Sequence, residues 1–364
     1  MRKRLVLLTL IALSPFSAAA QTSDWKKSWD ETLAAAREEG KVVVSGPPSQ
    51  ELRKTLPAAF KARYGITVDY LGGRSTELAT RLRAERQAGI HSIDLVLAGI
   101  QSMALTFHRE KMLQPLRPAL VLPEVVDGSK WKKGKLWFSD PEDHYILRLA
   151  NSVTTMFHIN TKEVKLGELR SVKDLLDPKW KGKIALQDPT IPGSGSNQAA
   201  HLYFQHGEDF VKQLYVDQKP MISRDTRQIT DGLARGIFAI TLGAEDADVE
   251  KLRKEGIPLA ILENLTDLYP EISASFGQIA MMSNAPHPNA AKVFVNWLAS
   301  KEGSDVFNRA MGTVPTRNDI DESFLPPEII PREGVKYFDT YDWEFTVTKK
   351  EKVRERMKEL LQAR

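Results

Sequence analysis

Lys41-Val-Val-Val-Ser45, Ile66-Thr-Val-Asp-Tyr-Leu71 and Asp94-Leu-Val-Leu-Ala98 are three short apolar runs, each followed by a loop and then a helical pattern. Gly46-Pro47-Pro48-Ser49 leads into a helix reaching about Arg63. Gly72-Gly73-Arg74-Ser75 leads into a helix from Thr76 to Gln87 with Leu78 and Leu82 inward, and another helix follows Gln101. Runs this apolar suit strands buried on both faces, and strands alternating with helices imply a parallel sheet covered on both sides. The same alternation returns later. Lys183-Ile-Ala-Leu-Gln187 precedes a Pro/Gly/Ser loop over 188–195 and a helix over 196–205. Strands at 220–223, 237–242 and 258–262 enclose helices at 226–234 and 246–254.

Outward from these two units the pattern is less regular. A helix over 24–39 carries Trp25, Trp29, Leu33 and Ala36 at helical spacing. Leu116 to Asp143, with Pro118, Pro123 and Pro141, reads as a crossover, and strand-like runs fill 145–159. A strand over 278–283 is followed after Pro288 by a helix whose apolar set is Ala291, Val293, Phe294, Trp297 and Leu298. The tail from Arg317 to Trp343 is rich in proline and aromatics. Thr348 and Glu351 form a capping-box pattern for a last helix with Val353, Met357, Leu360 and Leu361 on its apolar face and a solvated Lys/Arg face.

A chain of 364 residues is long for one core, which fits two domains. It contains no cysteine, which excludes disulfides, thiolate metal sites, a thiol nucleophile and a lipidated cysteine. Met1-Arg2-Lys3-Arg4, the apolar run Leu5 to Leu13 and Ser17-Ala18-Ala19-Ala20 form a three-part export signal with cleavage expected after Ala20. The run is too short to span a bilayer. Gln21 follows, so a lipoprotein is not expected, and the periplasm is the expected compartment. The first twenty residues hold three of the 51 Lys and Arg residues and none of the 47 Asp and Glu. The remainder is nearly neutral, which gives no electrostatic case for nucleic acid.

In open parallel sheets ligands bind beyond the carboxyl ends of the strands. That rule selects Ser45, Gly73, Arg74, Ser75, Gly99 and Gln101 in the first unit. In the second it selects Ser194, Gly195, Ser196, Asn197, Thr226, Arg227 and Glu245. Arg74 can clamp a carboxylate or phosphate with paired N–H groups. Ser75, Ser196 and Thr226 open helices whose free N–H groups favour an anion. Gly193-Ser-Gly-Ser-Asn197 lets backbone approach a ligand, yet it lacks the third glycine of a dinucleotide motif and the lysine of a P-loop. His201 and His206 are five apart, off the four-residue spacing of a helical metal pair, and no G-x-S-x-G run is present. No catalytic residues, metal ligands or cofactor are therefore expected.

Ser171-Val-Lys-Asp-Leu-Leu-Asp-Pro-Lys-Trp-Lys-Gly-Lys-Ile184 resembles a run found in periplasmic substrate-binding proteins of bacterial ABC importers, the ferric-iron-type (family 1) extracellular solute-binding group. The 288–303 helix and the Val314-Pro315 turn resemble the same group. The resemblance implies a two-lobed periplasmic-binding-protein fold (type II) in the α/β class, with a mixed, mostly parallel sheet in each lobe and a cleft between. The corresponding divisions are a signal over 1–20, first lobe over 21–118, second lobe over 119–276, a return to the first lobe over 277–320, and a tail over 321–364 packing on the second lobe. Ferric-binding members carry adjacent tyrosines after the strand that here ends at Leu242, whereas this chain reads Thr241-Leu-Gly-Ala-Glu-Asp246. The expected cargo is therefore a small organic anion, a carboxylate or phosphorylated or phosphonate compound, delivered by a monomer to an inner-membrane ABC permease. A ferric or metal-chelate receptor, a sensor partner and an enzyme on the same fold are the alternatives.

Overall fold

The computed structural model describes residues 17–363 apart from Arg74, Thr155, Glu245, Glu263 and Asn264, and it leaves out the side chains of residues 17–24, Thr76, Asp246 and Ala247. The basic and apolar start of the export signal lies outside the described residues. The first helix is Ser17–Glu39, longer than the expected 24–39 and running through the expected cleavage point. Alanines 18–20 favour helix and extend it upstream.

The first unit forms a six-stranded sheet in the order Thr67–Gly72, Lys41–Gly46, Leu95–Leu97, Gln278–Met282, Leu113–Gln114, with Leu147–Arg148 also pairing to Gln278–Met282. Val44 lies opposite Tyr70 on one side and Leu95 on the other, both parallel. Gln278–Met282 runs antiparallel, with Ile279 opposite Leu97, so the sheet is mixed. The apolar runs are explained by burial on both faces. Val42, Val44, Leu95 and Leu97 pack under the helices Gln50–Tyr64 and Pro288–Ala299, where Phe60 meets Phe294 at 5.0 Å and Trp297 at 5.3 Å. Val43, Val96 and Ala280 face the other way, onto Leu78, Leu82, Met103 and Phe107.

A five-stranded sheet follows in the order Leu259–Ile261, Phe157–Asn160, Ile240–Leu242, Ile184–Gln187, Met221–Ser223. The last three are parallel and the first two pair antiparallel with their neighbours. A third, small sheet of Phe338–Asp339, Glu271–Ser273 and Ser152–Thr154 joins the crossing segments. This is the two-lobed, mixed α/β architecture that the resemblance implies.

Two segments depart from the sequence reading. Leu120, Val125, Trp131 and Phe138 sit in the core of the first sheet, beyond the expected division at 118/119. This proline-rich stretch buries single residues at irregular intervals, so it has no period to read. Its anchor is Asn296, whose Oδ1 accepts from Val121 N (2.8 Å) and Leu122 N (3.2 Å) while its Nδ2 donates to Ala119 O (2.6 Å). The final helix does not start at Thr348. Asp342 Oδ1 accepts from Phe345 N at 2.7 Å, and a wide-turn helix over Phe345–Lys349 runs straight into Lys350–Gln362. Val353, Met357 and Phe345 enter the second core, and the helix packs along Ser194–Lys212. The tail is also tied to the first sheet, because buried Arg148 pairs with both carboxylate oxygens of Asp339 at 3.0 and 2.9 Å.

Candidate functional site

The first-lobe strand ends are held by their own chain. Ser45 is buried and its hydroxyl donates to Leu71 O at 3.2 Å, a bond within the sheet. Gly73 N donates to Gly46 O at 2.9 Å. Tyr70 donates its hydroxyl to Pro47 O at 2.8 Å, which fixes the loop above Gly46. Ser75 opens the helix Ser75–Gln87, while Arg74 lies outside the described residues. Gly99 precedes the turn Ile100–Ser102, and a Cβ there would meet the Tyr341 hydroxyl at 3.3 Å.

In the second lobe, Gly193 has φ +147°, a conformation open to glycine alone, and starts the helix Ser194–Lys212. Gly195 lies so close to the preceding strand that a Cβ would sit 2.5 Å from Asp188 O. Ser194 donates to Gln187 Oε1 at 2.5 Å and Ser196 to Gly193 O at 2.9 Å, so both hydroxyls are used locally. The Asp188 carboxylate accepts from Thr190 and from Arg224 Nε (2.9 Å), and these bonds hold its pKa below the usual range despite the opposing effect of burial.

Thr226 and Arg227 do not make the anion site expected of them. Asp225 caps their helix, its Oδ1 accepting from Arg227 N at 2.9 Å and Gln228 N at 3.3 Å. A carboxylate already occupies the position a cargo anion would take and would repel one. Arg227 is exposed, and Glu245 is outside the described residues.

Two of the expected residues do come together across the lobes. Gln101 lies beyond the first-lobe strand Leu95–Leu97, and Asn197 lies in the first turn of Ser194–Lys212. Between them stands Lys350, from the tail. Its Nζ donates to Asn197 Oδ1 at 2.9 Å and reaches Gln101 Oε1 at 3.4 Å. Lys350 is 1% exposed. Burial pushes its amine down to about 8, with Glu351 and Glu271 pulling up and Arg354 adding to the fall. Sequence reasoning placed the Lys/Arg residues of this helix on a solvated face and missed Lys350. The signal was there: Lys350, Val353 and Met357 share one face at i, i+3 and i+7, so the lysine continues the apolar stripe.

Behind the tail strand lies a cavity of about 610 Å³, lined by Phe157, Ile261 and Leu268 of the second lobe, Glu271 of the small sheet and Val335 of the tail. At its wall His201 stacks on Phe338 at 4.1 Å, with its Nδ1 3.4 Å from Glu271 Oε2. Among the described residues no group of three or more His, Asp or Glu could hold a metal ion, and 241–244 supplies no phenol. Neither a cluster of these acids and histidines nor the tyrosine pair of the ferric-binding members is therefore present at this strand end.

Residues 55–330 match the family described as bacterial extracellular solute-binding protein. Iron uptake protein A1 of Synechocystis is 23% identical over 265 residues, covering 68% of this chain and 67% of that protein. The Trichodesmium protein solved with iron and citrate superposes with a TM-score of 0.67 at 16% identity, over 88% of this chain and 99% of that one. The Actinobacillus pleuropneumoniae protein AfuA, solved with fructose-6-phosphate, superposes at 0.63 and 18% identity over 89% and 99%. Ferric-binding proteins of Bordetella, Mannheimia haemolytica and Campylobacter jejuni share the fold. Iron predominates among these relatives. The expectation of a small organic anion as cargo is thereby overturned. The family consists of non-catalytic binding proteins of the periplasm, so the chain is a binding protein and not an enzyme.

Proposed function

The chain belongs to the bacterial extracellular solute-binding protein family, and from that membership we propose that it captures iron as a metal chelate and presents it to an ABC permease. The observation that supports this reading is the resemblance to iron-uptake proteins in a chain whose described residues form no His, Asp or Glu cluster for a metal and carry no tyrosine at 241–244. A chelate brings its own donors, so the protein has only to bind the outside of the complex. Lobes closing on such a cargo would do so by population shift, driven by contacts made to both lobes at once. The cleft contacts proposed for it are Gln101 and Asn197, with Gly99 and Gly195 leaving room for close approach. Export, with cleavage after Ala20, would deliver the chain to the periplasm as a monomer, and the proposed division into lobes is by sheet membership.

Thermal unfolding of the iron-stripped mature protein tests this. A ferric chelate present at 100 times its dissociation constant stabilises by about 2.7 kcal/mol, a shift of a few degrees. The expected result is a shift with ferric citrate and none with citrate alone. No shift with any ferric chelate, across citrate, catecholate and hydroxamate complexes, overturns the reading.

A further inference from the structure

Lys350 is a buried cation with no counter-charge in contact among the described residues. Its Nζ has two neutral amide oxygens, on Gln101 and Asn197, and no carboxylate lies within 4.0 Å of it among the described residues. Glu271 and Glu351 act on it only from further off. An ammonium has three N–H donors, so among the described residues one donor is left without an acceptor. Burying an ion with no partner is costly, and proteins usually pair or neutralise such groups. Here the charge stands where the two lobes face each other, between two of the residues that the strand-end rule selects for cargo. Lys350 also lies beyond the family-matching region, which ends at residue 330.

We propose that Lys350 is a cargo-binding residue, and that its ammonium selects chelates carrying surplus negative charge, such as a carboxylate-rich ferric complex, over neutral ones. This rests on the metal-chelate reading and narrows it. An anionic group seated between the lobes would receive the free N–H of Lys350 and supply the missing counter-charge. Asn197 and Gln101 would hold the amine in line from opposite sides. A bare ferric cation would be repelled by the same charge. The tail helix thereby becomes a third wall of the binding site, reaching it from the second lobe, on which it packs.

The test titrates the mature full chain with ferric citrate and, separately, with a neutral ferric tris-hydroxamate, following tryptophan fluorescence. Three proteins are compared: wild type, Lys350→Met, which keeps the length and removes the charge, and Lys350→Arg, which keeps the charge. The expected result is at least a tenfold loss of ferric citrate affinity in K350M, a loss of less than threefold for the neutral complex, and retention of the preference for ferric citrate in K350R. A purely structural latch would lower the affinity for both complexes equally, or change only the melting temperature, and that outcome overturns the proposal. Ferric citrate affinity within twofold of wild type in K350M also overturns it while leaving the iron reading intact. If wild type binds neither complex, the iron reading falls and this assignment falls with it. Should K350M unfold, the comparison of wild type with K350R and Asn197→Ala still decides: a preference for ferric citrate unchanged in N197A and lost in K350R refutes a charge-based role.

Discussion

Replacing Asp339 by Asn removes the counter-charge of Arg148 while keeping the side chain's shape. Arg148 is 1% exposed and Asp339 about a quarter exposed. The guanidinium keeps the carbonyl of Ala150 at 3.2 Å, the Asn151 side chain and the Trp137 ring 4.2 Å away. Removing one partner of a buried ion pair costs about 3–5 kcal/mol. The partial exposure of Asp339 and the bonds that Arg148 retains place this case at the low end, about 3 kcal/mol. At an m-value of about 3 kcal/mol/M the urea midpoint falls by about 1 M. The control is Asp305→Asn, which breaks an exposed pair with Arg309 on one helix and should cost no more than about 0.5 kcal/mol. Urea unfolding followed by tryptophan fluorescence measures both. A midpoint for D339N that moves no further than that for D305N refutes the argument that the tail is locked to the first lobe through a desolvated charge. Because Asp339 lies eleven residues before Lys350 on the same tail, D339N should also weaken ferric citrate binding.

Asn296→Ala leaves the N–H groups of Val121 and Leu122 and the carbonyl of Ala119 without their partner, and should cost about 2–3 kcal/mol in urea unfolding; a loss below 1 kcal/mol would mean that the 119–122 segment relaxes to other partners. Gly195→Ala sets a Cβ against Asp188 O, so it should lower the melting temperature and displace Asn197, weakening chelate binding; wild-type affinity would contradict the role given to this close approach. Lys350 titrates near 8 in the folded protein and at about 10.4 in an unfolded chain. The unfolded state therefore holds more protons between these values, and stability rises with pH across roughly 8 to 10, by on the order of 3 kcal/mol in all. Unfolding free energies at pH 7.5, 9 and 10 should show that rise in wild type and lose most of it in K350M; equal slopes would refute the buried-amine assignment.

Much of the fold was legible because it rests on local patterns. The runs 41–45, 66–71 and 94–98 are apolar throughout because both faces of the first sheet are covered, and Pro288 with Phe294 and Trp297 marked a helix that does pack there. The start of the last helix was misplaced because Asp342 and Thr348 are both capping residues by type, and only the packing of Phe345 decides between them. The candidate site was legible in part. Gln101 and Asn197, which strand-end position selects, meet at Lys350 in the fold, whereas Thr226 and Arg227 stand at a helix start whose N–H groups the neighbouring Asp225 satisfies.

Sequence alone determined the two α/β units, the apolar strands and helix faces at the centre of their cores and the family, since each depends on periodicity or on runs of adjacent residues. Only the tertiary structure decided what stands in the cleft. Lys350 reaches Asn197 from 153 residues away and Gln101 from 249, and it does so because the tail first joins the small sheet and then lies along the second lobe. A lysine on an apolar stripe is a local fact. Whether its charge ends in solvent, in a core or between two lobes depends on how separate segments are brought into register, and no local pattern encodes that.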